Sequence, residues 1–205
     1  MTTHTTNLLN RLNVSLVTNA MGKKGFQVFK ADQKDYNLNI VGIRSSENIP
    51  DVFNDVLYVF WKFKGVWHER KYVITTDPGL YYLKNPVNVK GTAILKEQQV
   101  KRSHRLGLHR GRYQALTQQR PLTVIRDFDR DSNLDYNSGR EETGYFGINI
   151  HNSGKRLSRI VNKWSAGCQV HENPVSYRDF IQVCRNAKHI WGNNFTYTLL
   201  NERSL

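Results

Sequence analysis

Residues 144 to 173 read GYFGINIHNSGKRLSRIVNKWSAGCQVHEN, and this stretch places a histidine and a cysteine close together in the chain. From Phe146 to Ile150, apolar residues alternate with glycine and asparagine, which is the pattern of a half-buried β-strand. The strand is expected to deliver His151 at its C-terminal end. Cys168 follows in Ser-Ala-Gly-Cys, where neither helical nor strand periodicity accounts for a thiol.

The residues after this stretch predict one helix and one strand. The apolar positions from Ser176 to Trp191 fall on one helical face, which includes Cys184. Ser176 is the expected N-cap, and Gly192 is the expected end of the helix. Phe195 to Leu200 predicts a closing strand.

The residues before the stretch are rich in short β patterns separated by turns. Residues 1 to 25 contain a short helical pattern that ends at Gly22. Candidate strands follow at Phe26 to Phe29, Leu38 to Ile43, Val56 to Phe63 and Val66 to Thr75. The predicted fold class is therefore mainly β with one or two packed helices (α+β).

The chain is strongly basic, with 30 Lys and Arg residues, 17 Asp and Glu residues and a formal net charge of +13. Such a protein is attracted to polyanions, so nucleic acid and an anionic cell envelope are both candidate partners. A basic surface without a dedicated ligand is the remaining interpretation.

Cysteine content and hydropathy exclude several classes. Two cysteines without a CxxC pair argue against a disulfide scaffold and a zinc knuckle, and no cofactor or metal is expected. The N-terminal 25 residues lack the apolar core of a secretory signal, and no run of about 18 apolar residues predicts a membrane span. The protein is therefore expected to be made in the cytoplasm without a signal peptide.

The two cysteines have different interpretations. Cys184 lies on an apolar helix face, as a core residue does. Cys168 follows Gly167, and the backbone N–H groups of these two residues can stabilise a developing oxyanion. A neighbouring histidine activates a cysteine nucleophile, so His151 and Cys168 are a candidate catalytic pair. The alternative is a buried thiol beside a hydrogen-bonded histidine.

The stretch resembles the active-site signature of the L,D-transpeptidase catalytic domain family (YkuD-like). That signature has a histidine, a loop, and then Ser/Thr-x-Gly-Cys followed by an aliphatic position. Here the separation is 168 − 151 = 17, and the motif reads Ser-Ala-Gly-Cys-Gln-Val from Ser165. The sequence departs from the family at Asn152, where glycine is usual, and at Ala166, where histidine is usual. It also lacks the arginine that often follows the cysteine.

The resemblance implies a fold, a domain division and catalytic roles. Residues 101 to 205 are expected to form an L,D-transpeptidase-like β-sandwich, the catalytic domain. Residues 1 to 100 are expected to be an N-terminal β-rich extension of unknown role, packed on that domain. The resemblance makes Cys168 the nucleophile and His151 the general base, with Gly167 in the oxyanion hole.

Further residues are candidates for substrate binding. The Ser165 hydroxyl is expected to support the pocket, and the Asn152 carbonyl to hold the ring of His151 in one tautomer. Trp164 is interpreted either as a pocket wall or as a core residue. His109 and Tyr113 are expected to reach toward stem-peptide carboxylates, with a solvated basic strand edge as the alternative. The same segment carries Arg102, Arg105, Arg110 and Arg112.

Residues 127 to 135 read DFDRDSNLD, and their alternating acidic residues resemble a calcium-binding loop. The loop lacks the glycine at the sixth position and the glutamate at the twelfth, where Ser132 and Ser138 stand. A solvated loop with salt bridges to the arginines is therefore the preferred interpretation.

The sequence predicts a cysteine-dependent enzyme that attacks an amide bond of peptidoglycan stem peptides through an acyl-enzyme. A basic chain without a visible export signal fits a phage-borne lysin or virion component that acts on the cell wall, so a peptidase or carboxypeptidase is favoured over an L,D-transpeptidase. One alternative is a non-enzymatic basic virion structural protein that binds envelope or, less favoured, nucleic acid. Another is a cysteine acyltransferase with a different acyl donor.

Overall fold

A computed structural model describes residues 2–30 and 34–205. The protein is mainly β, with 35% of residues in strands and 22% in helices, so the predicted α+β class is confirmed. The described ranges contain four α-helices, which is more than the one or two expected. None of the helices described there combines the length and the apolar character needed to cross a membrane.

The N-terminal residues form two helices rather than one. Leu12 adopts an extended conformation (φ −64°, ψ 132°) and ends the first helix. The Asn13 side chain then accepts a hydrogen bond from the Leu16 amide at 2.9 Å and caps the second. The helices are α1 (Thr3–Arg11), α2 (Val14–Lys23), α3 (Leu80–Lys84) and α4 (Pro174–Trp191), and a short 3-10 helix spans Glu202–Ser204.

The strands described by the structure form one closed barrel and one smaller sheet. They are β1 (Asn39–Arg44), β2 (Asp55–Phe63), β3 (Val66–Thr75), β4 (Thr92–Leu95), β5 (Gln98–His109), β6 (Tyr113–Gln118), β7 (Leu122–Asp127), β8 (Glu141–Gly144), β9 (Ile150–Asn152), β10 (Gln169–His171) and β11 (Phe195–Asn201). The barrel has the order β1-β11-β5-β6-β9-β10-β3-β2, and the second sheet has the order β4-β7-β8.

Closure of the barrel distinguishes this fold from the expected two-sheet sandwich. The parallel pairing of β1 with β11 and the antiparallel pairing of β1 with β2 leave no free edge in the eight-stranded sheet. The expected domain boundary near residue 100 lies inside β5. Strands from both sides of that boundary therefore belong to the same barrel.

Strands β1 and β2 are buried on both faces. Ile40 and Leu57 belong to the main hydrophobic core, whereas Val41 and Tyr58 pack with Leu8 of α1 in a second cluster. Successive strand residues point to opposite faces, so the two N-terminal helices cover the face that the main core leaves free. Residues 1–100 thus contribute strands of the barrel wall as well as the helices that cover it.

The strand that leads to His151 is shorter than its sequence pattern predicts. The Phe146 and Ile148 amides donate to Gln118 Oε1 at 3.1 and 3.0 Å instead of entering a strand ladder. Strand β9 therefore begins at Ile150 and has His151 as its middle residue, not at its C-terminal end.

Helix α4 begins two residues before the predicted N-cap. The Asn173 side chain accepts from the Val175 amide at 2.8 Å, so Asn173, not Ser176, caps the helix. Gly192 ends it with φ 77°, as predicted. Cys184 is fully buried on the inward face, in agreement with its interpretation as a core residue.

His171 lies at the centre of the aromatic contact between α4 and the barrel. Its ring centroid is 5.1 Å from that of Tyr177 and 5.4 Å from that of Tyr72, and it stacks on Phe180 at 5.2 Å. Neither ring nitrogen has a hydrogen-bond partner in the described part of the chain. Burial lowers the pKa of His171 to about 3, so the ring is neutral.

Replacement of His171 by phenylalanine is expected to make the protein less sensitive to acid. An unfolded histidine titrates near pH 6.5, so wild type loses stability as the pH falls from about 6.5 toward 3. The free energy of unfolding of His171→Phe, minus that of wild type, should increase by about 2 kcal/mol when the pH is lowered from 7.5 to 5, as measured by urea unfolding. The same substitution at exposed His189 is the control, and an equal change there would contradict the prediction.

Candidate active site

The parallel pairing of β9 with β10 brings the histidine and the cysteine into the same region. Ile150 lies opposite Gln169, and His151 lies opposite Val170. The Gln169 amide also donates to the Asn149 carbonyl at 2.9 Å. Cys168 directly precedes β10 and thus lies beside Asn149. Cys168 and His151 are therefore on neighbouring chain segments.

The turn before Cys168 depends on a serine and a glycine. The Ser165 hydroxyl donates to the Cys168 carbonyl at 2.8 Å and accepts from the Gly167 amide at 3.1 Å. Gly167 has φ +120°, and a Cβ atom there would lie 2.4 Å from the Ala93 carbonyl oxygen. The Ser-x-Gly-Cys spacing is therefore required by a tight turn against β4.

The Gly167 amide is not free to bind an oxyanion, although the sequence predicts it as a donor of the oxyanion hole. Its N–H group is bound by Ser165 Oγ. The Cys168 N–H has no acceptor among residues 2–30 and 34–205, and it belongs to the same residue as the thiol. Of the two donors expected from the sequence, the Cys168 amide is the one that remains available.

The thiol of Cys168 is held by backbone groups of the segment before β9. It donates to the Gly147 carbonyl at 3.2 Å, and the Asn149 amide donates to the sulfur at 3.5 Å. Desolvation raises the pKa of the thiol, while the Asn149 N–H and the positive charge of Arg110 oppose this increase. The resting thiol is therefore protonated at neutral pH.

His151 is buried, and one of its ring nitrogens is fixed. Nδ1 lies 2.9 Å from the Asn152 carbonyl and 3.2 Å from the Tyr113 hydroxyl. A carbonyl only accepts, so Nδ1 carries the hydrogen and Nε2 is the basic nitrogen. Desolvation, followed by the neighbouring His109, lowers the pKa of His151 to about 3. The imidazole is neutral, as a general base must be.

His109 stacks on His151. The ring centroids are 4.1 Å apart, with an interplanar angle of 24°. The Asn149 side-chain amide lies 3.1 Å from His109 Nδ1 and donates to it. Asn149 thus contacts His109 through its side chain and Cys168 through its backbone, and it connects the two groups. Sequence reasoning missed this role, although the strand alternation places Asn149 on the same face as His151.

No hydrogen bond joins Cys168 to His151 within the described ranges. The sulfur contacts Gly147 and Asn149, and the imidazole contacts Asn152 and Tyr113. The thiol and the base lie on adjacent, paired segments. Catalytic hydrogen bonds often tighten only when substrate binds.

The thiol opens into a cleft of about 520 Å³. His109, Arg110, Ala166 and the segment 145–149 line this cleft together with Cys168, and residues of the second sheet, among them Arg126, complete the lining. Arg110 has no acidic partner within 4.0 Å in the part of the chain that the structure describes. Its charge, which the sequence analysis did not single out from the other arginines, is therefore available to a bound carboxylate.

The remaining predicted site residues lie elsewhere. Tyr113 and Asn152 line a neighbouring cavity of about 860 Å³ beside α4. Trp164 is 44% exposed and packs over Gly154, so it is neither a core residue nor part of the cleft that contains Cys168. Of the residues expected to bind substrate, His109 lines the cleft that contains Cys168, Tyr113 and Asn152 line the second cavity, and Ser165 and Trp164 line neither.

Comparison with known proteins does not identify a family. No protein-family model, curated protein or solved structure matches this chain.

Substitution of Ser165 by alanine is expected to destabilise the turn that presents Cys168. Ser165 is fully buried, and the change removes two hydrogen bonds and leaves the Gly167 amide without its acceptor. The expected loss is about 1–3 kcal/mol, measured by urea unfolding. Ser153→Ala is the matched control, because this buried serine donates a single bond to the Glu172 carbonyl. A Ser165→Ala variant no less stable than the control would refute the role of this turn.

Proposed function

We propose that this protein is a cysteine-dependent enzyme that cleaves or exchanges an amide bond of peptidoglycan stem peptides through an acyl-enzyme. The observation that carries the proposal is the arrangement of Cys168 and His151 on paired segments. A neutral imidazole with a fixed tautomer lies beside a thiol that opens into a cleft. The resemblance of residues 144–173 to the L,D-transpeptidase signature, with its sandwich-type catalytic domain, supplies the substrate class.

Each residue has a defined role in the proposed reaction. The Cys168 side chain rotates away from the Gly147 carbonyl and transfers its proton to His151 Nε2. The sulfur attacks the substrate carbonyl carbon, and the Cys168 N–H stabilises the oxyanion. The imidazolium then protonates the leaving amine, which departs and leaves a thioester. Water hydrolyses the thioester in a peptidase, whereas a second amine replaces water in a transpeptidase.

Charge and shape of the cleft support a peptide that carries carboxylates. Arg110 lines the cleft beside the thiol, and the guanidinium group binds a carboxylate through paired donors. Stem peptides end in a carboxylate close to the bond that such enzymes attack. Hydrolysis is the favoured outcome for a basic lysin or virion component.

The decisive experiment is mass spectrometry of tetrapeptide and cross-linked muropeptides incubated with wild type, Cys168→Ala and Cys184→Ala. We expect products that gain one water with wild type and Cys184→Ala, and none with Cys168→Ala. Cys184→Ala is the matched control, because it removes the same sulfur from the core, away from the cleft. Exchange of a terminal D-residue for an added D-amino acid would instead identify a transpeptidase.

If circular dichroism shows that all three proteins are folded and wild type gives no turnover, the peptidoglycan proposal is refuted. Equal turnover by wild type and Cys168→Ala would exclude the cysteine as the nucleophile.

The pH profile tests the role of His151 as the base. The neutral thiol–imidazole pair has the same number of protons as the thiolate–imidazolium pair that reacts. Because the pKa of His151 is lowered to about 3 and that of Cys168 is raised, kcat/KM should stay constant within about threefold between pH 6 and 8. In His151→Ala, the rate should be lower than in wild type. It should also increase about tenfold for each unit by which the pH is raised, since only free thiolate attacks. A wild-type rate with that slope would contradict the assignment.

A non-enzymatic basic binding protein is the second candidate, supported by the hairpin of β5 and β6. Five exposed basic residues lie along it without an ion-pair partner in the described ranges, namely Lys101, Arg102, Arg105, Arg110 and Arg112. Binding to DNA or to anionic envelope that weakens steeply with salt and survives Cys168→Ala would favour this function.

A further inference from the structure

The loop between β7 and β8 gathers three carboxylates. Oxygen atoms of Asp127, Asp129 and Asp135 all lie within 4.8 Å of one another. These residues are the first, third and ninth of the sequence DFDRDSNLD. The sequence predicts a solvated loop with salt bridges to the arginines, but those salt bridges do not form among the described residues. None of the loop carboxylates has a Lys, Arg or His partner within 4.0 Å in the portion of the chain described.

No described basic side chain pairs with the loop carboxylates, although the chain has a net charge of +13. The nearest ion pairs use other acids: Lys90 and Arg126 pair with Glu142, and Lys96 pairs with Glu141. The carboxylates of the loop therefore lie close together without a counter-charge from a described side chain, and for the buried Asp127 this is costly.

The strongest indication of a ligand is an unpartnered buried oxygen. Asp127 is only 1% exposed, and its Oδ1 atom has no hydrogen-bond donor among residues 2–30 and 34–205. Its other oxygen accepts from the Asp135 amide at 3.1 Å. A bound cation would give the free oxygen a partner.

The loop is held in place independently of any ion. Leu134 packs with Leu83 and Ile94 in a buried cluster, and the Tyr136 hydroxyl donates to Asp77 at 2.9 Å. The Ser138 hydroxyl donates to the Arg126 carbonyl at 2.8 Å. These anchors fix both sides of the carboxylate cluster, so the site is largely preformed.

We propose that Asp127, Asp129 and Asp135 bind a calcium ion. The donors are oxygen atoms of carboxylates, which hard cations prefer over nitrogen or sulfur. Calcium accepts an irregular set of protein oxygens completed by water, whereas magnesium requires near-ideal octahedral geometry. The position also has a consequence for the cleft. Asp127 pairs with Thr92 of β4, and its carbonyl lies against Gly91. Gly91 and Thr92 both line the cleft that contains Cys168, so the ion would hold this part of the cleft in place.

The test is isothermal titration calorimetry of the full, chelator-treated chain with CaCl₂, together with thermal unfolding in calcium and in EDTA. We expect saturable binding with Kd of about 10⁻⁵–10⁻³ M and a rise in Tm of several degrees at saturation. Asp129→Asn should weaken binding at least about tenfold, because it removes one of three charged ligands. Asp129 is exposed, so its replacement leaves the core unchanged.

The matched control is Glu141→Gln, which removes one charge from the same segment outside the cluster and should keep wild-type affinity. Neither readout uses a peptidoglycan substrate, so the calcium proposal and the proposed function fail separately. Folded wild type that gives neither heat nor a Tm shift up to 10 mM CaCl₂ (about 100-fold above a typical mid-range Kd) would overturn the proposal. Equal affinity for MgCl₂, or equal loss in Asp129→Asn and Glu141→Gln, would overturn it as well.

Discussion

The parallel pairing of β9 with β10 is the constraint on which the candidate site depends. It fixes which residue lies opposite which, and a shift by one residue would turn His151 to the other face of the sheet. The pairing is itself held by the barrel. Gln169, next to the cysteine, accepts a hydrogen bond from the buried Tyr197 hydroxyl of β11 at 2.7 Å. The barrel thus positions the turn, and the turn positions the thiol.

Burial determines the protonation state of the site. The imidazoles of His109 and His151 stack on each other in a poorly solvated region, which lowers the pKa of both. The same desolvation raises the pKa of Cys168. Both groups are therefore neutral at rest. In the proposed function, a thiolate would form only when the proton moves to the histidine, so no reactive thiolate would be present in the absence of substrate.

Both walls of the cleft present an arginine. One wall comes from the barrel and presents Arg110, from the turn between β5 and β6. The other belongs to the small sheet and presents Arg126, which pairs with Glu142. The aspartates lie in the loop that connects β7 and β8 and are not among the described residues that line the cleft. In the proposed function, the first wall receives the substrate carboxylate. The second would be stabilised by a bound cation, which relates the acidic loop to the geometry of the cleft without a role in the reaction.

The sequence by itself determined the features that local chemistry controls: the mainly β class, helix α4 with its end at Gly192 and the core position of Cys184. Only the tertiary structure decided barrel closure, the short β9, the arrival of His109 beside His151 and the convergence of the aspartates. Caps, turns and periodicity act over a few neighbouring residues and are therefore visible in the sequence. Strand register and contacts between distant segments depend on which burial arrangement satisfies the whole chain, and no local pattern encodes that choice.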